Sequence, residues 1–286
     1  MTFSIAALDP SNGDLGVAVA SKFPAVGVVV PWARAGIGAV ATQAWAHTAY
    51  GPDGLALMGS GTPAPEALDR LRAEDARRDD RQVGMVDAAG RAATFTGEKC
   101  MDWAGGLTAH HYAAQGNILT GADVIQAMAD AFDAGQGDLV DRLLAAMLAG
   151  DAAGGDRRGR QSAALLVVRS GGGYEGSTDR YVDLRVDDHP DAPSELARVF
   201  EVFDREILIR NDPLHDATPD LVADLQRRLS ALGRHGGEAT GVYDATTREA
   251  IASFAGEYNL EGRLRDDDRI SDTLVREIRD LTPDPD

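Results

Sequence analysis

The chain has 286 residues, 44% of them apolar, and a formal net charge of −18, which describes an acidic globular protein long enough for about two domains. That charge excludes nucleic acid as an expected partner, because phosphate binding needs clustered Lys and Arg. No run of 18 or more apolar residues is present to span a membrane, so no membrane partner is expected.

The single Cys100 rules out an internal disulfide, and Asp outnumbers Glu 34 to 12 while Lys occurs only twice. Such a balance suits a high-salt milieu, where screening relieves self-repulsion, and equally a G+C-rich coding bias. No basic segment precedes an apolar one near the start, so a cytoplasmic location is expected.

Taken in order, Thr2–Asp9 reads as a strand. Thr2 is small, so the initiator Met1 is a candidate for trimming. Its removal would put a hydroxyl nucleophile and a free α-amine, with a pKa of roughly 7.7–8.0, on one residue. The plainer reading is that Thr2 merely follows a start codon. Asn12-Gly13 then predicts a hairpin turn between Phe3–Leu8 and Leu15–Ala20. The second of these is nearly all apolar, as in a strand covered on both faces. Val26–Val30 and Ile37–Ala41 read as two further strands. Gly36-Ile37-Gly38 is too short for a phosphate loop, and no Walker motif occurs.

From Asp53 the pattern becomes helical. Leu55–Met58 and Glu66–Arg78 suggest two helices, and Gln82–Asp87 with Arg91–Thr96 a second hairpin. A Gly-, His- and Trp-rich loop follows. Two helices then start near Thr120 and at the N-cap Asp138, the latter stopping at Gly150. Gln161–Arg169 and Tyr181–Val186 read as strands, and Ser194–Ile209 as a helix. Strands, helices and strands again place residues 1–210 in the α+β class, with helices outside stacked sheets. Asn211–Pro219 is linker-like. Beyond it, three helical stripes (Leu221/Leu225/Leu229/Leu232, Ile251/Phe254/Tyr258 and Ile270/Leu274/Ile278/Leu281) predict a small three-helix domain over residues 211–286.

Among candidate site residues, Arg157, Arg158 and Arg160 lie among glycines directly before a buried strand, followed by Gln161. Arginine forks grip carboxylates or phosphates in two-point fashion, although a solvated turn paired to aspartates would have the same composition. The stretches Thr42–His47 and Gln115–Asn117 read as polar loops. There the amides of Gln43 and Asn117 are candidate oxyanion donors, or simply satisfy loop backbone groups. His110-His111 and Cys100 match no zinc spacing, and Asp266-Asp267-Asp268 lacks the features of a calcium loop. No metal or cofactor is expected.

Met1–Ile5, Gly16–Ser21, Val29–Ala33, Ala41–Gln43, Tyr50-Gly51, Gln115–Asn117 and Gly154–Leu166, in this order, closely resemble a bacterial and archaeal family of unknown function with an N-terminal-nucleophile (Ntn) hydrolase-like fold. The resemblance implies a four-layer αββα sandwich over about Met1–Ile209, with Thr2 as the nucleophile. Leu225-Gln226, Leu232-Gly233, Thr240–Asp244, Thr247-Arg248, Ala250-Ile251 and Phe254 resemble a small module named for peptidoglycan binding. With no export signal visible, cell-wall contact is not expected of it. Two functions follow: an Ntn-type amidohydrolase acting through Thr2 on a small, carboxylate-bearing amide, or a non-catalytic ligand-binding or assembly protein on the same sandwich. A homo-oligomer is expected in both.

Overall fold

The computed structural model describes residues 2–282; Met1, whose removal the nucleophile reading requires, lies outside them. The first two strands, β1 (Thr2–Leu8) and β2 (Leu15–Ser21), are buried along their whole lengths and pair antiparallel, Thr2 toward Ser21 and Leu8 opposite Leu15. Gly13 in the intervening turn has φ +82°, a left-handed conformation that glycine adopts without steric cost.

The chain continues through β3 (Pro31–Arg34), β4 (Gly38–Ala44), α1 (Tyr50–Gly59), α2 (Ala64–Glu74), β5 (Arg81–Asp87) and β6 (Ala92–Thr96). After these come β7 (Gly105–Ala109), β8 (Tyr112–Asn117), α3 (Asp123–Ala134), α4 (Leu139–Ala152), β9 (Ser162–Val168), β10 (Arg180–Val186) and α5 (Ala192–Phe203). Two antiparallel sheets result, a six-stranded one ordered β10-β9-β2-β1-β8-β7 and a four-stranded one ordered β3-β4-β5-β6.

Strand alternation assigns the layers. Ala6, Leu8, Val17 and Val19 of the larger sheet share one apolar cluster with Ala39, Ala41 and Val86 of the smaller. On the other face of the smaller sheet, Val40, Val83 and Met85 pack against Tyr50, Leu55, Met58 and Leu68 of α1 and α2. Helix α4 lies on β1 and β2 and helix α3 on β8. The architecture is the four-layer αββα sandwich. Asp138 caps α4 through a reciprocal capping box with Asp141, as its position predicts.

Several local expectations are corrected. Val26–Val28 is a single helical turn rather than a strand, and pairing with β4 begins at Pro31. Thr42–Ala44 and Gln115–Asn117 are strand residues, not loops. Their polarity reflects side chains directed at one another rather than at water. The Gly-rich segment after Cys100 supplies β7, which pairs with β8; glycines there hide the strand signal because they carry no side chain to alternate. Helix α5 ends at Phe203 and gives way to a wider turn over Asp204–Leu208.

By contacts the chain separates into two units, Met1–Val199 and Phe200–Asp286. The second contains α6 (Pro219–Ala231), α7 (Ala245–Glu257) and α8 (Asp272–Asp280), capped by Thr218, Asp244 and Ser271. Val222, Leu225, Leu229, Phe254, Leu274 and Ile278 form its core. It also has a two-stranded ribbon, Leu214–Asp216 with Arg269–Ser271. Ile270 therefore packs from a strand rather than from the third helix.

Candidate active site

Thr2 opens β1 at the polar end of the space between the sheets. Toward Leu8 that space is filled by aliphatic side chains; toward Thr2 it is filled by hydroxyls and amides. Register explains the gathering. Thr2 pairs with Asn117 and Ser4 with Gln115 across β1 and β8, while Gln43 pairs with Gln82 across β4 and β5, so all six face inward.

The Ser4 hydroxyl donates to Gln43 Oε1 at 2.7 Å, and Gln115 Nε2 donates to Ser4 Oγ at 2.6 Å. Gln43 Nε2 donates to Gln82 Oε1 at 2.8 Å and to the Thr2 carbonyl at 3.2 Å. Asn117 Nδ2 donates to the same Gln82 oxygen at 2.8 Å. These groups are all but fully buried, where an unsatisfied amide would be costly. Gly84 makes the space: a Cβ there would lie 1.9 Å from Gln115 Oε1. Thr2 Oγ1 itself lies 3.1 Å from Ser21 Oγ.

Thr2 also lines a cavity of about 390 Å³ with Gln43, Phe23, Trp45, Arg77, Arg81 and Arg158. Of the seven residues singled out from the sequence, Thr2, Gln43 and Arg158 line this cavity. Asn117 does not, because its amide is turned into the inter-sheet network. Arg160 is drawn to Asp151 at 2.7 Å, and this pairing raises its pKa further. Gln161 donates to Asp188 at 3.1 Å, and Arg157 is exposed on the same loop. The loop is organised by Asp156, 7% exposed, which accepts from the Lys22 and Arg158 backbone N–H groups at 2.7 and 2.9 Å.

Sequence reasoning missed Arg77, Arg81 and Ser162. Arg81 is 7% exposed; its Nε donates to Asp75 Oδ2 at 2.8 Å and its Nη1 to the Trp45 carbonyl. The Arg81 hydrogen bond is the main reason the Asp75 carboxyl is held down at about 2. Burial, then the hydrogen bond it donates to Asp75, pushes the Tyr50 hydroxyl well above its ordinary value. Ser162 holds the Phe23–Val26 wall, donating to the Phe23 carbonyl and accepting from Val26 N. The available signal for Arg81 is a charged residue heading an otherwise buried strand, which demands a partner.

Fold and site together define an Ntn-hydrolase-like sandwich with a threonine at the head of a central strand. The chain belongs to the family described as Family of unknown function (DUF1028), whose model matches residues 2–196. Residues 211–278 match the model described as "Putative peptidoglycan binding domain". The crystal structure of protein SPO2555 from Silicibacter pomeroyi, assigned to the same DUF1028 family, is similar at 33% identity with a TM-score of 0.65. That similarity covers 71% of this chain and 89% of that one. No curated protein matches the chain. Among the described residues no helix is long and apolar enough to cross a membrane.

Proposed function

We propose that the N-terminal unit is an Ntn-type amidohydrolase in which Thr2, freed of Met1, cleaves a small, carboxylate-bearing amide. The observation that carries this reading is the placement of Thr2, which heads a buried central strand and lines a cavity that also contains arginine side chains. The Thr2 Oγ attacks the amide carbon while its hydroxyl proton passes to the Thr2 α-amine. As the tetrahedral intermediate collapses, the C–N bond breaks and that proton leaves with the amine. Water then adds to the acyl ester, releasing a carboxylic acid and restoring Thr2, so that amide and water become acid and amine. Gln43 acts by fixing the Thr2 carbonyl rather than by meeting an oxyanion, since both of its N–H bonds are directed to internal acceptors.

One observation favours a second reading, a non-catalytic ligand-binding or assembly protein. The amides of Gln43 and Asn117 are engaged inside the network, so neither is left over to stabilise a developing oxyanion.

Intact-mass measurement on protein from its native host, combined with a turnover screen of N-acyl amino acids, tests the choice. Loss of Met1 with turnover abolished by Thr2→Ala supports the hydrolase. Complete retention of Met1 leaves the Thr2 nitrogen in a peptide bond and defeats it.

A further inference from the structure

In a chain carrying −18 net charge, the described residues lining the cavity beside Thr2 include three arginines and no aspartate or glutamate. Three other surface cavities each count carboxylates among their lining residues. The arginines come from two separate parts of the chain, and their acidic partners Asp75, Asp80 and Asp156 all lie outside the cavity lining. Such pairing fixes the Arg77 and Arg81 guanidiniums from behind the cavity wall. Arg81 Nη2 has no partner among the described residues once Nε and Nη1 are satisfied, and Arg77 is held only through Nε.

The rest of the wall is apolar and exposed. Trp45 and Phe23 are 69% and 49% exposed, and Val26, Val29 and Val30 complete the surface. The Trp45 backbone is held on both sides, its main-chain N–H donating to the Asp80 carbonyl and its carbonyl accepting from Arg81. Arg77 sits 5.9 Å from the Trp45 ring centroid. Two alanines beside these walls, Ala25 and Ala44, have φ +52° and +67°, an unfavourable conformation for a residue with a Cβ. Non-glycine strain of this kind clusters at functional sites. An exposed indole on a fixed stretch of backbone, next to the Nη donors of Arg77 and Arg81, is a surface built for an amphipathic anion.

We infer that this cavity selects amides that carry a free carboxylate and an apolar side chain on neighbouring atoms, as in an N-acylated apolar amino acid. Arg77, Arg81 and Arg158 read the carboxylate, and Trp45 with Phe23 reads the side chain. The inference rests on the hydrolase reading only for the amide itself. The volume belongs to the small-molecule range rather than to a groove for a polymer.

Calorimetry on the full chain carrying Thr2→Ala, which separates binding from turnover, tests it with three probes. N-acetyl-L-phenylalanine is expected to bind about tenfold more tightly than N-acetyl-L-phenylalaninamide, which lacks the charge, and than N-acetylglycine, which lacks the ring. Arg77→Gln and Arg158→Gln, both at exposed side chains, should each erase the preference for the charge. Trp45→Ala should erase the preference for the ring. Acid and amide binding alike, or no binding at millimolar concentration by folded protein, overturns the inference. Turnover of the same probes by the unsubstituted chain is scored separately. Selective binding without turnover defeats only the hydrolase reading; turnover without charge preference defeats only the inference.

Discussion

The Ser4 hydroxyl and the Gln43 side-chain carbonyl meet at 2.7 Å, one of several hydrogen bonds that join the two facing sheets at the Thr2 end of a layer held by aliphatic contacts toward Leu8. Ser4 also accepts from Gln115, so removing its hydroxyl strands two buried amide groups. Ser4→Ala is expected to cost about 1–3 kcal/mol, the penalty for leaving buried polar groups unpaired. Urea unfolding measures it, and a change below ~0.5 kcal/mol would mean that the network relaxes around the loss.

Arg169 grips Asp14 with two bonds, Nε to Oδ1 at 2.8 Å and Nη2 to Oδ2 at 2.6 Å. Asp14 is wholly buried, and the guanidinium also stacks 3.8 Å from the Tyr181 ring centroid. Arg169→Ala leaves a buried carboxylate without its cation and should destabilise by about 3–5 kcal/mol. Replacing both residues with apolar ones of similar size should restore much of that loss, a comparison a double-mutant cycle makes directly.

Asp75 titrates at about 2 in the folded chain, chiefly because of its hydrogen bond from Arg81, against an ordinary value near 3.9. A depressed folded value means that its contribution to stability is full above about pH 4 and is lost as pH falls toward 2. Asp75→Asn should therefore flatten the stability profile between about pH 4 and pH 2 and leave its shape near neutrality unchanged. Thermal melts across that window decide it; an unaltered acid limb would mean that other carboxylates dominate.

Ala44 holds φ +67° between Gln43 and Trp45. Glycine relieves the Cβ clash, worth about 1–2 kcal/mol, and gives back about 0.5–1 kcal/mol in unfolded-chain entropy. Ala44→Gly should consequently be neutral or stabilising by up to about 1 kcal/mol, whereas Ala44→Val should destabilise. Chemical denaturation of the pair checks the sign.

Much of the N-terminal unit is legible locally. The Asn12-Gly13 turn, the Asp138 cap and the β5–β6 hairpin all follow from short-range turn and capping chemistry. The loop assigned to Gln115–Asn117 fails for an instructive reason: polarity in a strand looks like solvent exposure until the facing sheet is known. The arginine cluster shows the same limit. Arg157, Arg158 and Arg160 are equivalent by composition, yet only Arg158 lines the cavity beside Thr2, because Asp151 claims Arg160.

By itself, then, the sequence determined the elements, their caps and turns, and the stripes that become cores, since each depends on neighbours a few residues away. Only the tertiary structure decided which buried amide meets which and which guanidiniums reach Thr2. Asn117 and Gln82 are 35 residues apart in the chain, and Ser4 and Gln115 are 111 apart. Contacts at such separations are set by strand register and by the stacking of one sheet on another, which no local pattern encodes.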